Sequence, residues 1–174
     1  MAVAVEFNHV GITVSNLEKT CAFLEDAFGL KVAMILDKTG GPTSSVALGL
    51  PEHRQRIALV AVSDVILELI EFIPTRRTSY DGRQDDVGYC YPSFSVADLD
   101  VAYAELTAKG YHIHAKPHAA GEGVVAGTRF MILKDPDGKN IELVEISQKM
   151  SVGSLHQLAA TTTPSFDDPV MLAD

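Results

Sequence analysis

A short pattern of alternating apolar and acidic residues occurs twice in the chain and constrains the fold more than any other feature. Residues 67–71 read LELIE and residues 141–145 read IELVE. Because successive side chains of a strand point to opposite faces, each copy predicts a half-buried strand with one glutamate, Glu68 or Glu142, among apolar neighbours. A charge in such a place needs a partner.

The second copy of the pattern follows a tight reversal of the chain. Asp135, Pro136 and Gly138 occupy the first, second and last positions of a four-residue segment. These residue types at these positions fit a type I turn. Residues 135–146 therefore predict a turn leading into a strand, as in a β-hairpin.

The elements around the two copies also repeat. A strand is expected over residues 6–14, with Val10, Ile12 and Val14 on one face, followed by a helix with Ser15 as N-cap, Glu18 completing a capping box, and Gly29 at its end. A strand over residues 91–96 and a helix from Asp98 to Gly110 repeat this arrangement. Further strands are expected at residues 31–36, 46–50, 56–62 and 65–73, and again at 111–115 and 129–133.

The repeat predicts an α+β fold of two βαβββ modules. Residues 1–74 form the first module, 75–87 a polar linker, 88–148 the second module, and 149–174 a partly ordered tail. Related by a pseudo-two-fold axis, the modules are expected to form a shared curved mixed sheet, or cup. His9 then corresponds to Tyr91, 82 positions later, and Glu68 to Glu142, 74 positions later, all on the concave face.

Composition narrows the class of partner. The net charge of −9 and the pI near 5.0 argue against a nucleic acid, which needs clustered basic residues. No apolar run approaches the roughly 18 residues of a membrane span, and the N-terminus lacks the basic start of a secretory signal. Cys21 and Cys90 are expected to be free thiols. A cytoplasmic protein with a small-molecule partner is therefore expected.

These motifs resemble those of the vicinal oxygen chelate superfamily, which includes glyoxalase I, methylmalonyl-CoA epimerase, extradiol dioxygenases and bleomycin-binding proteins. The resemblance covers residues 6–147 and rests on HVGITV at 9–14, FGLKV at 28–32, LELIE at 67–71 and DPDGKNIEL at 135–143. It implies a divalent metal in the cup that chelates two adjacent oxygens of a substrate. It also implies a homodimer.

The resemblance places His9, Glu68 and Glu142 at three metal-ligand positions. At the fourth, where the family usually has histidine, this chain has Tyr91, which is expected to act as a phenolate ligand or as a proton donor. One cation would partner both glutamates, and an imidazole with two carboxylates suits Zn, Ni, Co, Mn or Fe.

The function implied is that of an isomerase, epimerase or lyase of the glyoxalase or methylmalonyl-CoA epimerase type, stabilising an enolate, with Glu68 and Tyr91 as catalytic residues. Two alternatives remain open, a non-haem iron dioxygenase and a metal-free small-molecule-binding protein of the resistance type.

Several other polar residues are expected to play no catalytic part. Glu71 and Glu145 are predicted to be solvated at strand ends, and Arg76 and Arg77 to lie in the solvated linker. The remaining group is a set of histidines expected on the surface or lining the cup: His112, His114 and His118. The Gly-rich residues 121–123 are expected to form a lid.

Overall fold

The structure is a computed structural model that describes residues 6–40, 42–76, 80–119 and 127–146. In chain order these residues form β1 (His9–Thr13), α1 (Leu17–Phe28), β2 (Val32–Gly40), α2 (Pro42–Leu48), β3 (His53–Val62), β4 (Val65–Ile73), β5 (Ser93–Ser95), α3 (Leu99–Ala108), β6 (His118–Ala119), β7 (Arg129–Lys134) and β8 (Asn140–Glu145). The predicted α+β class is confirmed.

The chain divides into two compact units. The first comprises Met1–Asp86 together with Asp135–Lys139, and the second comprises Val87–Lys134 and Asn140–Asp174. The turn between β7 and β8 therefore belongs to the first unit, although both of its flanking strands belong to the second.

The first unit contains a mixed four-stranded sheet in the order β1-β4-β3-β2, in which β1 runs parallel to β4 and the other neighbours are antiparallel. Helix α1 packs against β3 and β4. The contact buries Leu17 and Leu24 of the helix and Leu67 and Leu69 of β4. Burial of this apolar face stabilises the unit.

The second unit contains a mixed sheet in the order β5-β8-β7-β6, with β5 parallel to β8. Helix α3 packs against β7 and β8. Its core includes Leu99 of the helix, which is fully buried, with Leu133 of β7 and Leu143 of β8. The helix begins with Asp98 as N-cap, whose carboxylate accepts a hydrogen bond from the Val101 N–H, as predicted.

Within each sheet, the strands next to the glutamate pair in the same register. Glu68 pairs with Gly11 on the parallel neighbour strand, and Glu142 pairs with Ser93 in the same way. At the ends of β1 and β5, equivalent amides continue the pairing: Val14 N–H donates to Ile70, and Val96 N–H to Val144. These pairs are separated by the same 82 and 74 positions as the sequence repeat.

The N-cap of α1 differs from the prediction. Asn16 caps the helix, accepting a hydrogen bond from the Lys19 N–H at 2.8 Å, so the predicted capping box of Ser15 and Glu18 is wrong. Ser15 instead binds Asp137, donating its backbone N–H at 2.8 Å and its hydroxyl to the two carboxylate oxygens. Gly29 ends the helix in the left-handed conformation, as predicted.

Three expected strands are also corrected. Residues 46–50 were expected as a strand but lie largely in α2, which starts at Pro42 and is followed by Gly49 at a φ of 64°. Residues 111–115 contain one isolated bridge, between Ile113 and Leu133. The strand expected over residues 91–96 is confined to β5, since Pro92 has no N–H to donate.

Some predicted features fall outside the described residues. They are residues 77–79 of the expected linker, which include Arg77, residues 121–123 of the expected lid, and the expected tail from 149 to 174. In the part of the chain that the structure describes, no helix is long and apolar enough to cross a membrane.

Candidate functional site

His9 and Glu68 come together on the face of the first sheet opposite α1. The parallel pairing of β1 with β4 places Gly11 beside Glu68 and His9 beside Ile66. His9 Nε2 lies 3.1 Å from Glu68 Oε2, and the side chains are 42% and 23% exposed. This arrangement, called here the His9–Glu68 pair, is open enough for a small molecule to reach.

The other nitrogen of the His9 ring is held by its chain neighbour. Nδ1 lies 2.6 Å from the side-chain oxygen of Asn8, which can only accept, so Nδ1 carries the proton. Nε2 therefore faces the carboxylate either as part of an imidazolium or with a free lone pair. With a free lone pair, two acceptors lie side by side, and a cation is needed between them.

The spacing of these two donors fits a divalent metal ion. Bonds from Zn to imidazole nitrogen or carboxylate oxygen are about 2.0 to 2.2 Å long, so two ligands of one ion lie roughly 3 to 3.5 Å apart. The 3.1 Å between His9 Nε2 and Glu68 Oε2 lies in this range. A protonated Nδ1 hydrogen-bonded to an oxygen acceptor is also the usual state of a metal-bound histidine.

Gly11 leaves room above the Glu68 carboxylate. A Cβ atom added at Gly11 would lie 4.0 Å from Glu68 Oε2 and 3.8 Å from the Ile70 Cδ1, at ordinary contact distance. Alanine would therefore fit here, while a longer side chain would extend across the carboxylate. The glycine keeps the approach to Glu68 free.

Glu142 has a different environment in the second unit. The hydroxyl of Ser93, its partner on β5, donates to Glu142 Oε2 at 2.5 Å. Ser93 thus fixes one oxygen of Glu142, whereas the equivalent glycine in the first unit leaves Glu68 to interact with His9.

Tyr91 lies just before β5 rather than within a strand. It is half-buried, and its ring lies beside that of Tyr89, with centroids 6.0 Å apart and planes inclined at 58°. The phenol of Tyr89 in turn accepts a hydrogen bond from the Asn140 N–H at 3.0 Å. Two tyrosines thus stand at the start of the β5–β8 pairing.

Neither unit gathers three metal-binding side chains among its described residues. The three histidines expected on the surface or in the cup, His112, His114 and His118, are all exposed and belong to no such group within the described ranges. His118 lies against Phe130, with ring centroids 6.1 Å apart. Among the described residues, His9 and Glu68 are a histidine and a carboxylate of one unit that lie close enough to share an ion.

Glu71 was expected to be solvated, and this is wrong. It is only 8% exposed and lies 3.2 Å from Arg56, which also binds Glu18 of α1. The hydrogen bond from Arg56 keeps the pKa of Glu18 below its usual range. Arg56 links the helix to the sheet and does not reach the site face.

The second unit repeats this ion cluster. Arg129 binds Asp100 of α3 at 2.7 Å and lies 3.8 Å from Glu145. Its hydrogen bond to Asp100 lowers the pKa of that carboxyl group. Glu145 also accepts a hydrogen bond from the Leu99 N–H at 2.7 Å, so it too is partnered rather than simply solvated.

Sequence reasoning missed the contacts that Asn8, Ser93 and Lys134 make with His9, Glu142 and Asn140. Asn8 lies next to His9, and a polar amide directly before a candidate ligand was the available signal. Ser93 is placed opposite Glu142 only by strand register. Lys134 donates to the Asn140 side-chain oxygen at 2.6 Å, a contact that depends on the hairpin register.

This fold is that of a glyoxalase-like class of protein. Residues 6–143 match the model of the Glyoxalase/Bleomycin resistance protein/Dioxygenase superfamily, and the chain belongs to that family. The resemblance seen in the sequence is thereby confirmed, together with the vicinal oxygen chelate fold.

Curated relatives in the family are enzymes by name. A 2-epi-5-epi-valiolone epimerase from an Actinomyces species is 27% identical over 147 residues, covering 82% of this chain and 80% of that protein. A lactoylglutathione lyase from Arabidopsis thaliana is 25% identical over 141 residues, covering 80% of this chain. The chain spans 44% of the length of that plant protein.

Solved structures share the fold. A glyoxalase family protein from Bacillus cereus superposes with a TM-score of 0.67 at 23% identity, over 83% of this chain and 96% of that one. Glyoxalase I of Leishmania major gives a TM-score of 0.58 at 20% identity, over 90% and 94% of the two chains.

Proposed function

We propose that the protein is a metal-dependent isomerase, epimerase or lyase that acts on a small carbonyl compound with a neighbouring oxygen. The observation that carries the proposal is the His9–Glu68 pair, with its 3.1 Å spacing and the Asn8 side-chain oxygen 2.6 Å from His9 Nδ1. The epimerase and lyase names of the relatives, at 25–28% identity, support the same class of reaction.

His9 and Glu68 would hold the ion in the first unit. Glu142 and Tyr91, their counterparts in the repeat, are proposed to complete the ligand set, as the family resemblance implies. A bound divalent ion would supply Lewis-acid stabilisation of the oxyanion that develops when a proton leaves the carbon next to a carbonyl. Zn, Ni, Co, Mn and Fe all suit the donor types.

The side chains of the site would move the proton. A carboxylate near a substrate carbon can act as a general base, and Glu68 is proposed for this role because Gly11 leaves its oxygen accessible. The phenol of Tyr91 is proposed as a proton donor or as a ligand. Epimerisation or isomerisation then requires return of a proton to the opposite face or to the adjacent carbon.

Metal analysis of the purified protein tests the proposal. Wild-type protein is expected to contain a stoichiometric divalent metal that chelator removes, and activity on 2-hydroxy-carbonyl compounds is expected to disappear with it. His9→Gln, Glu68→Gln and Glu142→Gln should each lower metal content. Glu25→Gln, at an exposed position of α1, is the matched control and should retain the metal.

The other outcomes identify the alternatives. Iron together with oxygen uptake would indicate a dioxygenase and overturn the isomerase proposal. Protein that remains metal-free after incubation with each ion, yet binds a small apolar ligand, would indicate a binding protein. Sedimentation of the purified chain in the same samples tests the homodimer that the family resemblance implies.

A further inference from the structure

Lys134 and Asn140 form a cross-strand pair on the same sheet face as Glu142. They are directly opposite in the β7–β8 ladder, two residues along from the pair of Ile132 and Glu142. The ammonium of Lys134 donates to the Asn140 side-chain oxygen at 2.6 Å. Asn140 is only 7% exposed, so it offers the lysine a fixed anchor.

The charge of Lys134 is not neutralised within the described residues. An ammonium group has three donors, and the one hydrogen bond found for the Lys134 ammonium in this part of the chain goes to the neutral amide of Asn140. The side chain is half-buried, although the chain has 23 acidic residues against 14 lysines and arginines. A half-buried cation beside an amide leaves donors for an anion.

The first unit provides an internal comparison. There Glu68 pairs with Leu59, and the pair two residues along is Ala61 with Ile66. At the equivalent position of the second ladder stand Lys134 and Asn140. The repeat thus keeps both glutamates but replaces an apolar pair by a cation and an amide in one unit only, a difference that the shared fold does not require.

The register of β7 and β8 also sets how far Lys134 lies from Glu142. Two residues along a strand correspond to roughly 6.6 Å, so the backbone of Lys134 lies about that far from that of Ile132, opposite Glu142. A substrate with reacting oxygens near Glu142 and an anionic group a few carbon–carbon bonds away would reach both.

We infer that Lys134, oriented by Asn140, binds an anionic oxygen group of the substrate, either a carboxylate or a phosphate. The inference rests on the proposed function, since it assigns the substrate class for that same site. The backbone of Asn140 is itself positioned by its hydrogen bond to the Tyr89 phenol at 3.0 Å. Lys134 is therefore a specificity-determining residue.

The first test needs no metal. Full-length protein carrying lysine labelled with ¹³C at Cε, which leaves the ammonium unaltered, is treated with chelator, and inorganic phosphate is added. The Lys134 resonance, assigned by its loss in Lys134→Arg, is expected to shift saturably, while that of exposed Lys109 follows only ionic strength. A Lys134 resonance that behaves like that of Lys109 overturns the inference.

The second test uses two probes on metal-loaded protein. Malate and its 4-amide share a hydroxy-carboxylate end and differ in the charge of the remote group. Wild type is expected to bind malate about tenfold or more tightly, because hydrogen bonds between charged groups exceed neutral ones. Lys134→Met should abolish this preference and Lys134→Arg should retain it, whereas a preference that survives in Lys134→Met contradicts the assignment.

The two tests separate this inference from the proposed function. A saturable phosphate shift in protein that takes up no metal would refute the metal-dependent reaction and leave the anion site standing. Protein that contains stoichiometric metal but shows no preference for malate would refute the anion site and leave the metal-dependent reaction standing. Glu142→Gln is expected to weaken the binding of both probes equally, because the hydroxy-carboxylate end that they share lies nearest to Glu142.

Discussion

The hydroxyl of Ser93 donates to Glu142 Oε2 at 2.5 Å, whereas the equivalent residue beside Glu68 is Gly11. The two glutamates of the repeat therefore differ in what holds them. One carboxylate is fixed by a neighbouring strand, and the other is left to a histidine. Equivalent positions of a duplicated unit have thus become specialised, which favours distinct roles for Glu68 and Glu142.

Removing the Ser93 hydroxyl should weaken metal binding. Ser93→Ala is expected to lower metal affinity about tenfold, because the partners that orient a ligand contribute on this scale. Competition with a metallochromic chelator measures the change. Ser95→Ala is the control, since Ser95 lies on the same face of β5 but pairs with Val144. Equal effects of the two substitutions would refute a specific role for Ser93.

Asn8 should tune His9 through the Nδ1 proton. Asn8→Leu removes the acceptor 2.6 Å from the ring and should reduce metal affinity by about tenfold to a hundredfold. Asn8→Asp keeps an oxygen acceptor and should bind metal at least as well as wild type. The same chelator competition reports both variants, and unchanged affinity in Asn8→Leu would refute the tuning role of Asn8.

The two arginines of the repeated ion clusters should differ in their effect on stability. Arg56→Met leaves the nearly buried Glu71 without its ion-pair partner, whereas Arg129→Met leaves Glu145, which is 31% exposed and keeps the Leu99 N–H. The free energy of unfolding in urea should therefore fall further for Arg56→Met. Adding Glu71→Gln should restore part of that loss, and a larger loss in Arg129→Met would contradict this account.

Asp135 should make stability depend on pH. Burial raises its pKa above the usual 3.8, despite hydrogen bonds to its side chain from the Lys139 and Asp137 N–H groups. The folded state then holds the proton more tightly than the unfolded state, so this contribution is present at low pH and lost as pH rises through the folded-state pKa.

Asp135→Asn mimics the protonated form and keeps the oxygen acceptor. It should be more stable than wild type at pH 7, with the difference vanishing below the usual aspartate pKa of 3.8. Urea unfolding at several pH values measures this difference. Asp85→Asn provides the opposite control, because a hydrogen bond from Arg83 lowers the pKa of Asp85. A stability difference independent of pH would refute the assignment.

Strand periodicity, the Asp98 N-cap of α3 and the Gly29 end of α1 predicted much of the fold correctly. β4 was expected at residues 65–73 and is found there, because Val65, Leu67 and Leu69 place an apolar residue at every second position. α2 was missed, since seven residues are too few for a helical period to show. Its signals were Pro42 in the first turn and Gly49 just past the end.

The site was harder to predict than the fold, because its contacts depend on register. The sequence pattern identified His9 and Glu68, which lie 59 positions apart and meet at 3.1 Å. It gave no indication that Ser15 would bind Asp137, 122 positions away, instead of capping its own helix. The proposed ligands Glu142 and Tyr91 stay predictions that the metal analysis described above will test.

The membership of Asp135–Lys139 in the first unit has a consequence for biosynthesis. Ser15 leaves the ribosome long before its partner Asp137, and all of α3 and β7 is translated in between. During that interval Ser15, just before α1, lacks the Asp137 carboxylate that it later binds. The first unit therefore completes its contacts at Ser15 only after translation has passed residue 139.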